Sequence, residues 1–295
     1  MNIGFVGIVL GDEELKMKSC ILKNATPERL YQLIELNLNI LEQILDYLIA
    51  NDIHLFRISS GAIPFASHPI NNLDWQNIFS NKFKQLGEKA IKNNIRLSMH
   101  PGQYTVINTE NQALLEKSVQ DLIYHTSFLD SMHLPPSNKV ILHIGGIYND
   151  KEKAMTRFIQ NYKYLPRNIR SRLVIENDDK CYTANDVLDI ARDIECPVVF
   201  DYLHFQLNNN KGSFAELFSR CRNTWEAHDG IQKIHYSEQA ENKKTGSHSE
   251  TINPEDFFEF SKQIPNHIDV MFEVKDKNLS VIKYKQFLRN HIDQP

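Results

Sequence analysis

The sequence predicts a (β/α)8 TIM barrel, on three observations. Eight short apolar runs alternate with eight segments of helical spacing along 295 residues. Most of the runs are rich in β-branched and aromatic residues and lack strict polar–apolar alternation, as expected of parallel strands covered by helices. No Gly/Ser linker, charge block or low-complexity tract interrupts the chain, so residues 1–295 read as one domain around one core. A doubly wound open sheet is the competing fold, and the count of eight strand–helix units favours the barrel.

The expected strands are residues 3–9, 55–59, 95–100, 140–144, 173–177, 198–202, 231–236 and 269–274. Thr26-Pro27-Glu28-Arg29 opens the first helix, with Thr as N-cap, Pro at the first helical position and an acid in the first turn. Leu30, Leu33, Ile34, Leu38, Leu41, Ile44, Leu45 and Leu48 keep one apolar face through residue 49. Helical spacing returns over 74–93, 111–132, 150–164, 183–194, 213–225, 253–263 and 279–290. The phenylalanines at 79, 83, 257, 258 and 260 fall on these helices and are expected in the core, whereas the polar stretch 237–249 reads as a long loop.

Composition narrows the function classes. With 41% hydrophobic and 24% charged residues the chain is an ordinary globular one. A net charge of −4 argues against a general basic surface for nucleic acid, although bound divalent ions would reverse the local sign. Cys20, Cys181, Cys196 and Cys221 lack C-x-x-C spacing and read as reduced thiols of a cytoplasmic protein. The apolar run 3–10 has no basic segment before it and meets Gly11-Asp12-Glu13-Glu14 at once. It is too short for a membrane span and unlike a signal peptide, so no membrane association is expected. Nothing marks an obligate protein partner, and a monomer is expected.

The chemistry gathers at the strand ends. In such a barrel the C-terminal ends of the strands and the loops beyond them form the active site. Here the third strand ends at His100, the fourth carries His143, the fifth ends at Glu176, and the sixth ends at Asp201 with His204 beyond it. The seventh carries Lys233 and His235 on one face, with His248 in the following loop, and the eighth ends at Glu273. Taken singly, each has an ordinary structural explanation: a hydrogen-bonded core histidine, or a carboxylate capping the next helix. Taken together they do not, because unrelated placement would put such residues equally at strand starts and middles. Burying carboxylates at strand ends needs a partner, and a divalent cation suits mixed imidazole and carboxylate donors. Eight donors are too many for one ion and fit two or three, an arrangement typical of phosphoester hydrolysis.

Other residues are less exposed to a single reading. Arg57 and Arg96 sit in strand middles and are expected to form polar layers inside the barrel. Asn177, Asp178 and Asp179 are candidates to orient the donors. His68, in the proline-bounded loop Pro64-Phe65-Ala66-Ser67-His68-Pro69, is either an active-site group or a loop residue. Gln103 and Tyr104 project from the third loop, where an amide beside an aromatic suits stacking on a base as well as turn packing.

Several motifs in order carry a resemblance. They are Phe65-Ala66-Ser67-His68-Pro69, Ser98-Met99-His100-Pro101-Gly102-Gln103-Tyr104, Leu142-His143-Ile144-Gly145-Gly146-Ile147-Tyr148, Glu176-Asn177-Asp178-Asp179, Phe200-Asp201-Tyr202-Leu203-His204, Lys233-Ile234-His235 and Met271-Phe272-Glu273-Val274-Lys275. With them the chain is similar, over nearly its whole length, to the UV damage endonuclease family. The resemblance implies a TIM barrel related to endonuclease IV and up to three divalent metals, most often manganese, with zinc, magnesium or cobalt as alternatives. It implies cutting of damaged double-stranded DNA immediately 5′ of cyclobutane dimers and 6-4 products, and more weakly at abasic sites. By the same resemblance His100, His143, Glu176, Asp201, His204, His235, His248 and Glu273 hold metal, with Glu176 as the bridge. Glu176, Lys233 and His68 are the expected catalytic groups, and Gln103 and Tyr104 match residues that probe the lesion inside the duplex. Lys233 matches a lysine that the family can carry carboxylated; an ammonium paired with a carboxylate is the alternative.

One departure is Phe5, where many relatives have Tyr after the glycine, and the loop over 10–26 has no clear match. Three rival readings remain: an abasic-site endonuclease of the endonuclease IV type, a sugar isomerase with a carboxylate-rich metal site, and a non-enzymatic metal-dependent binding module. His100, His143, His204 and His248 favour phosphoester chemistry over isomerisation.

Overall fold

The computed structural model describes residues 1–11 and 15–292; within the 10–26 loop, residues 12–14 lie outside the described part. Its strands are β1 (Asn2–Val6), β2 (Leu55–Ile58), β3 (Arg96–Met99), β4 (Val140–His143), β5 (Leu173–Glu176), β6 (Val198–Asp201), β7 (Lys233–Tyr236) and β8 (Asp269–Phe272). They pair in parallel in chain order, and β8 returns to β1 with Ile3 beside Val270, so the barrel closes. The open sheet is thereby excluded.

The helices are α1 (Pro27–Ala50), α2 (Trp75–Ile78), α3 (Ser80–Lys92), α4 (Gln112–Ser131), α5 (Lys151–Tyr164), α6 (Arg167–Arg170), α7 (Ala184–Ile194), α8 (Tyr202–Leu207), α9 (Phe214–Arg222), α10 (Pro254–Ser261) and α11 (Asn278–Ile292). The Thr26 hydroxyl accepts from the Arg29 amide at 3.2 Å, and the apolar face of α1 is buried as its spacing requires. Three helical features differ from expectation. The stretch 74–93 breaks at Phe79 into α2 and α3, and two short helices, α6 and α8, lie in segments read as connections. Among the phenylalanines, Phe258 is half-buried and the other four are buried. None of the described helices is long and apolar enough to cross a membrane.

The strands are shorter than the apolar runs that contain them. β1 stops at Val6 because Gly7 turns into the left-handed region at φ +84°, open to glycine at little cost. Gly4 is needed for a different reason: a Cβ there would lie 2.2 Å from the Leu55 carbonyl oxygen. Inside the barrel, side chains stack in layers two residues apart. At the bottom, Arg96 donates to Asp269 at 2.8 Å, and Asn2 donates to the same carboxylate at 2.8 Å. Ile141, Val174 and Val199 form a small apolar layer, closed from below by Trp225, whose indole donates to the Val198 carbonyl at 2.8 Å. Two residues further along β4, β5 and β6 come His143, Glu176 and Asp201. Strand alternation therefore lifts the polar residues onto the C-terminal mouth directly above an apolar floor.

Candidate metal centre

Glu176 ends β5 fully buried and stands at the middle of the mouth. Its Oε1 accepts from His235 Nδ1 at 2.5 Å; its Oε2 lies 3.2 Å from His100 Nε2 and 3.7 Å from His143 Nε2. Glu273, one residue beyond β8, brings Oε1 to 3.1 Å from the same His235 nitrogen. Three overlapping groups have donor atoms within 4.8 Å of one another: His100, His143 and Glu176; Glu176, Asp201 and His204; Glu176, His235 and Glu273. Glu176 is common to all three.

The surroundings prepare these groups as donors. His100 Nδ1 bonds the Pro101 carbonyl at 3.0 Å, His204 Nδ1 that of Asn177 at 2.9 Å, and His248 Nδ1 that of Glu273 at 2.6 Å. A backbone carbonyl can accept only from N–H, so in each ring a proton is held on Nδ1 and Nε2 is the nitrogen left to serve as a donor to metal. Asp201 divides its carboxylate: Oδ1 caps α8 by accepting from the His204 amide at 2.7 Å, while Oδ2 is buried with no hydrogen-bond partner among the described residues. His143 Nδ1 is likewise buried and unpartnered. Asn177 fixes Asp201 from both sides, accepting from its amide at 2.9 Å and donating to its carbonyl at 3.0 Å. Asn177 is thus tied to the strand end that carries Asp201, whereas Asp178 bonds the amides of Lys180, Cys181 and Tyr182 and shapes the loop.

The charges show what the mouth lacks. Burial, then Glu273 and Asp201, push the Glu176 carboxyl well above its usual range. Burial also raises Asp201, with His204 opposing it. Burial works the same way on Glu273, yet Arg57, His235, His248 and His100 more than offset it and hold Glu273 well below the ordinary value. Burial keeps His100 and His235 neutral well below their usual range and takes His143 down to about 4. For His204 burial is outweighed by Asp201 and Glu273, and its value rises. Two crowded carboxyls that resist ionising, Glu176 and Asp201, beside the neutral imidazoles of His100 and His143, are the surroundings a divalent cation relieves. The donor set, the unpartnered Asp201 oxygen and the shared Glu176 fit divalent ions; a donor set of imidazole and carboxylate without thiolate fits a hard or borderline metal.

Comparison with known proteins agrees with this geometry. A sequence model of the UV-endonuclease UvdE family matches residues 16–293. A protein of Clostridium perfringens (strain 13 / Type A) named UV DNA damage endonuclease is 43% identical over 286 residues, covering 96% of this chain and 69% of that protein. The chain belongs to the UvdE family. The crystal structure of SacUVDE superposes with a TM-score of 0.92 at 38% identity, covering 98% of each chain. Endonuclease IV from Thermus thermophilus superposes with a TM-score of 0.61 at 13% identity over 98% of this chain and 100% of that one, a likeness of fold alone.

Not every residue singled out in this UvdE-family sequence reaches the cluster. His248 stands outside the three groups, at its edge, with its ring 6.2 Å from that of His204. Lys233 lies below His235, fully buried, its Nζ without a hydrogen-bond partner among the described residues. His68 is exposed, accepts from the Ile70 amide at 3.0 Å and packs edge-on against Phe65; among the described residues no hydrogen bond or ion pair joins it to the donors. Gln103 lines a mouth cavity with His100 and His143, and Tyr104 is 80% exposed. Phe5 packs on Phe56 and Tyr47 toward the helix layer, so a phenol at that position would face away from the donors.

Arg57 is the residue the sequence misplaced. Arg96 does form a polar layer, but Arg57 reaches the mouth, with Nη2 2.6 Å from Glu273 Oε1 and 2.6 Å from His235 Nε2. The register of β2 on β1 decides this, since Arg57 pairs beside Val6, the last residue of β1, and the third residue of β2 thus comes level with the strand ends; no sequence signal marked it. A second omission supports His100. Ser60 Oγ donates to the His100 carbonyl at 2.7 Å and meets His125 Nε2 at 3.0 Å, a chain that joins residues 60, 100 and 125.

Proposed function

We propose that this chain is a metal-dependent endonuclease of UV-damaged duplex DNA. In this reading it cuts the phosphodiester immediately 5′ of cyclobutane dimers and 6-4 products, and more weakly at abasic sites. The observation that carries the reading is the gathering of imidazole and carboxylate donors around one buried glutamate, in a chain that resembles proteins named for this activity.

His100, His143, Asp201, His204, His235 and Glu273 would hold two or three divalent ions, with His248 joining at the edge and Glu176 shared between them. When bound, such ions neutralise phosphate charge, activate water and stabilise a leaving oxygen. The protein's part is to fix the donors: carbonyls of residues 101, 177 and 273 hold the three Nδ1 protons, and Asn177 holds Asp201. Arg57 balances Glu273 and adds a cation beside the phosphate path. Gln103 and Tyr104 would enter the duplex at the lesion, where weakened stacking lowers the energy of extruding bases. Lys233 would serve as a carbamate, an acceptor in place of a cation, and native mass spectrometry reads that as one added CO2. His68 would contact the DNA from the loop after β2. The chain is read as one catalytic domain acting as a cytoplasmic monomer.

The deciding experiment is nicking of UV-irradiated supercoiled plasmid with manganese and with chelator. Nicking confined to irradiated plasmid and lost in chelator is expected; equal nicking of unirradiated plasmid, or none, removes the reading. Competition between a dimer-containing duplex and an abasic one separates it from an endonuclease IV-type activity.

A further inference from the structure

One cavity at the mouth is not accounted for by the donors. It has a volume of about 570 Å3 and lies between Val6 at the end of β1 and the segment that follows β8. Arg57, Lys243, Lys275 and Lys277 line it against one carboxylate, Glu273. A chain of net charge −4 cannot draw in a polyanion by its overall field, so any attraction has to be local.

The four cations are not equivalent. Arg57 is committed to Glu273 and His235, and Lys275 is paired with Glu250, Nζ to Oε1 at 2.6 Å. Lys243 and Lys277 line the cavity and make no ion pair among the described residues. Lys243 stands exposed on the loop after β7, whereas Lys277 is partly buried and held in the left-handed region at φ +53°. An ammonium drawn partly out of water without a carboxylate partner is costly, and an entering anion offsets that cost. Its edge of the cavity is firmly built. The next residue, Asn278, clasps the Leu10 backbone through hydrogen bonds of 2.7 and 2.9 Å and donates to the Tyr47 hydroxyl at 2.9 Å.

The geometry points to a phosphodiester subsite in this cavity, where Lys243 and Lys277 hold a backbone phosphate other than the one to be cut. The reacting phosphate belongs over Glu176 and its neighbours; this cavity touches the donor set only at Glu273 and His248, so its occupant is the adjoining stretch of the strand. The assignment rests on the duplex-DNA reading given above and adds to it which part of the backbone grips the protein and through which side chains.

The test is equilibrium binding of the manganese-loaded protein to an undamaged labelled duplex, with a gel run alongside to verify that the duplex stays uncut. Affinity is followed from about 50 to 200 mM salt, where each lost phosphate contact lowers the slope of log K against log salt by about 1. The Lys243→Gln/Lys277→Gln protein, which loses that one phosphate, is expected to lose about 1 from that slope. A control with Lys84→Gln and Lys92→Gln, both exposed on α3, is expected to keep it. Circular dichroism verifies folding, and Lys243→Gln alone, on an exposed loop, supplies a variant that folding cannot confound. An unchanged slope in the double variant, or an equal loss in the control, overturns the subsite. A melting-temperature rise with inorganic phosphate that needs Lys277, together with an unchanged duplex slope, assigns the cavity to a free anion and also overturns it. Nicking of irradiated plasmid by the unaltered protein is scored separately, so failure of the damaged-DNA reading is distinguishable from failure of the subsite.

Discussion

Replacing Glu176 by Gln changes one oxygen to an amide and touches all three donor groups at once. Loss of a single preorganised electrostatic contact costs about 2.7–4 kcal/mol, or roughly 10²–10³ in kcat. Since Glu176 is shared, the expected loss of nicking lies at the upper end, about 10³-fold. Stability should move in opposite directions with and without metal. Burial and the neighbouring Glu273 and Asp201 raise the folded-state value of the Glu176 carboxyl. For an acid raised on folding, the unfolded chain releases its proton first as pH rises, so stability is lost above the ordinary carboxylate range. Gln carries no such penalty. In chelator at about pH 8 the Gln variant should therefore melt higher than the unaltered protein, by roughly 2–4 °C for each kcal/mol relieved. With manganese at about 100 times its dissociation constant the unaltered protein gains about 2.7 kcal/mol, and the order should reverse. Plasmid nicking and scanning fluorimetry in both conditions read the two effects. Nicking within tenfold of the unaltered protein, or an identical manganese-induced rise in both proteins, would refute a shared role for Glu176.

Four further outcomes follow from the geometry. Gln103→Ala/Tyr104→Ala should weaken binding to dimer-containing duplex by roughly 10- to 100-fold with metal content unchanged, because base–aromatic stacking is worth about 1–3 kcal/mol; Tyr104 is 80% exposed, so the melting temperature should hold. Asn177→Ala removes both hydrogen bonds to the Asp201 backbone, and isothermal titration should show metal affinity reduced about 10- to 100-fold. Lys139→Met strands Asp229, its 2.5 Å partner in a buried pair, and urea unfolding should reveal a loss of about 3–5 kcal/mol. Cys196 and Cys221 are buried, and burial pushes their thiols up, to about 12 for Cys196, whereas Cys20 and Cys181 are partly exposed; a disulfide reagent should therefore label Cys20 and, more slowly because burial raises its thiol too, Cys181 in the native protein, and all four only after denaturation.

Much of the fold was legible because its signals are local. Thr26-Pro27 starts α1 as its capping chemistry demands, and each strand overlaps a run the sequence marks out. Strand ends were less legible, since β1 stops where Gly7 leaves the extended region and not where the apolar run ends. The donors were legible because strand ends in a barrel all face one mouth: His100, His143, Glu176, Asp201, His204, His235 and Glu273 converge as that rule implies. Arg57 was not, because a charge in a strand middle looks alike whether it sits in a lower polar layer, as Arg96 does, or level with the mouth. That depends on the stagger between β1 and β2, which no local pattern encodes.

By itself the sequence determined which chemical groups this protein owns and at which end of each strand they stand, because periodicity and turn chemistry act between neighbours along the chain. Tertiary structure alone decided which of those groups meet: that Glu176 is common to three donor groups, that one Asp201 oxygen caps a helix while the other has no hydrogen-bond partner among the described residues, and that His68 stays outside. The physical reason is closure. Once β8 pairs with β1, barrel stagger fixes the height of every inward side chain, and contacts between residues as far apart as 57 and 235 are set by that one geometric condition.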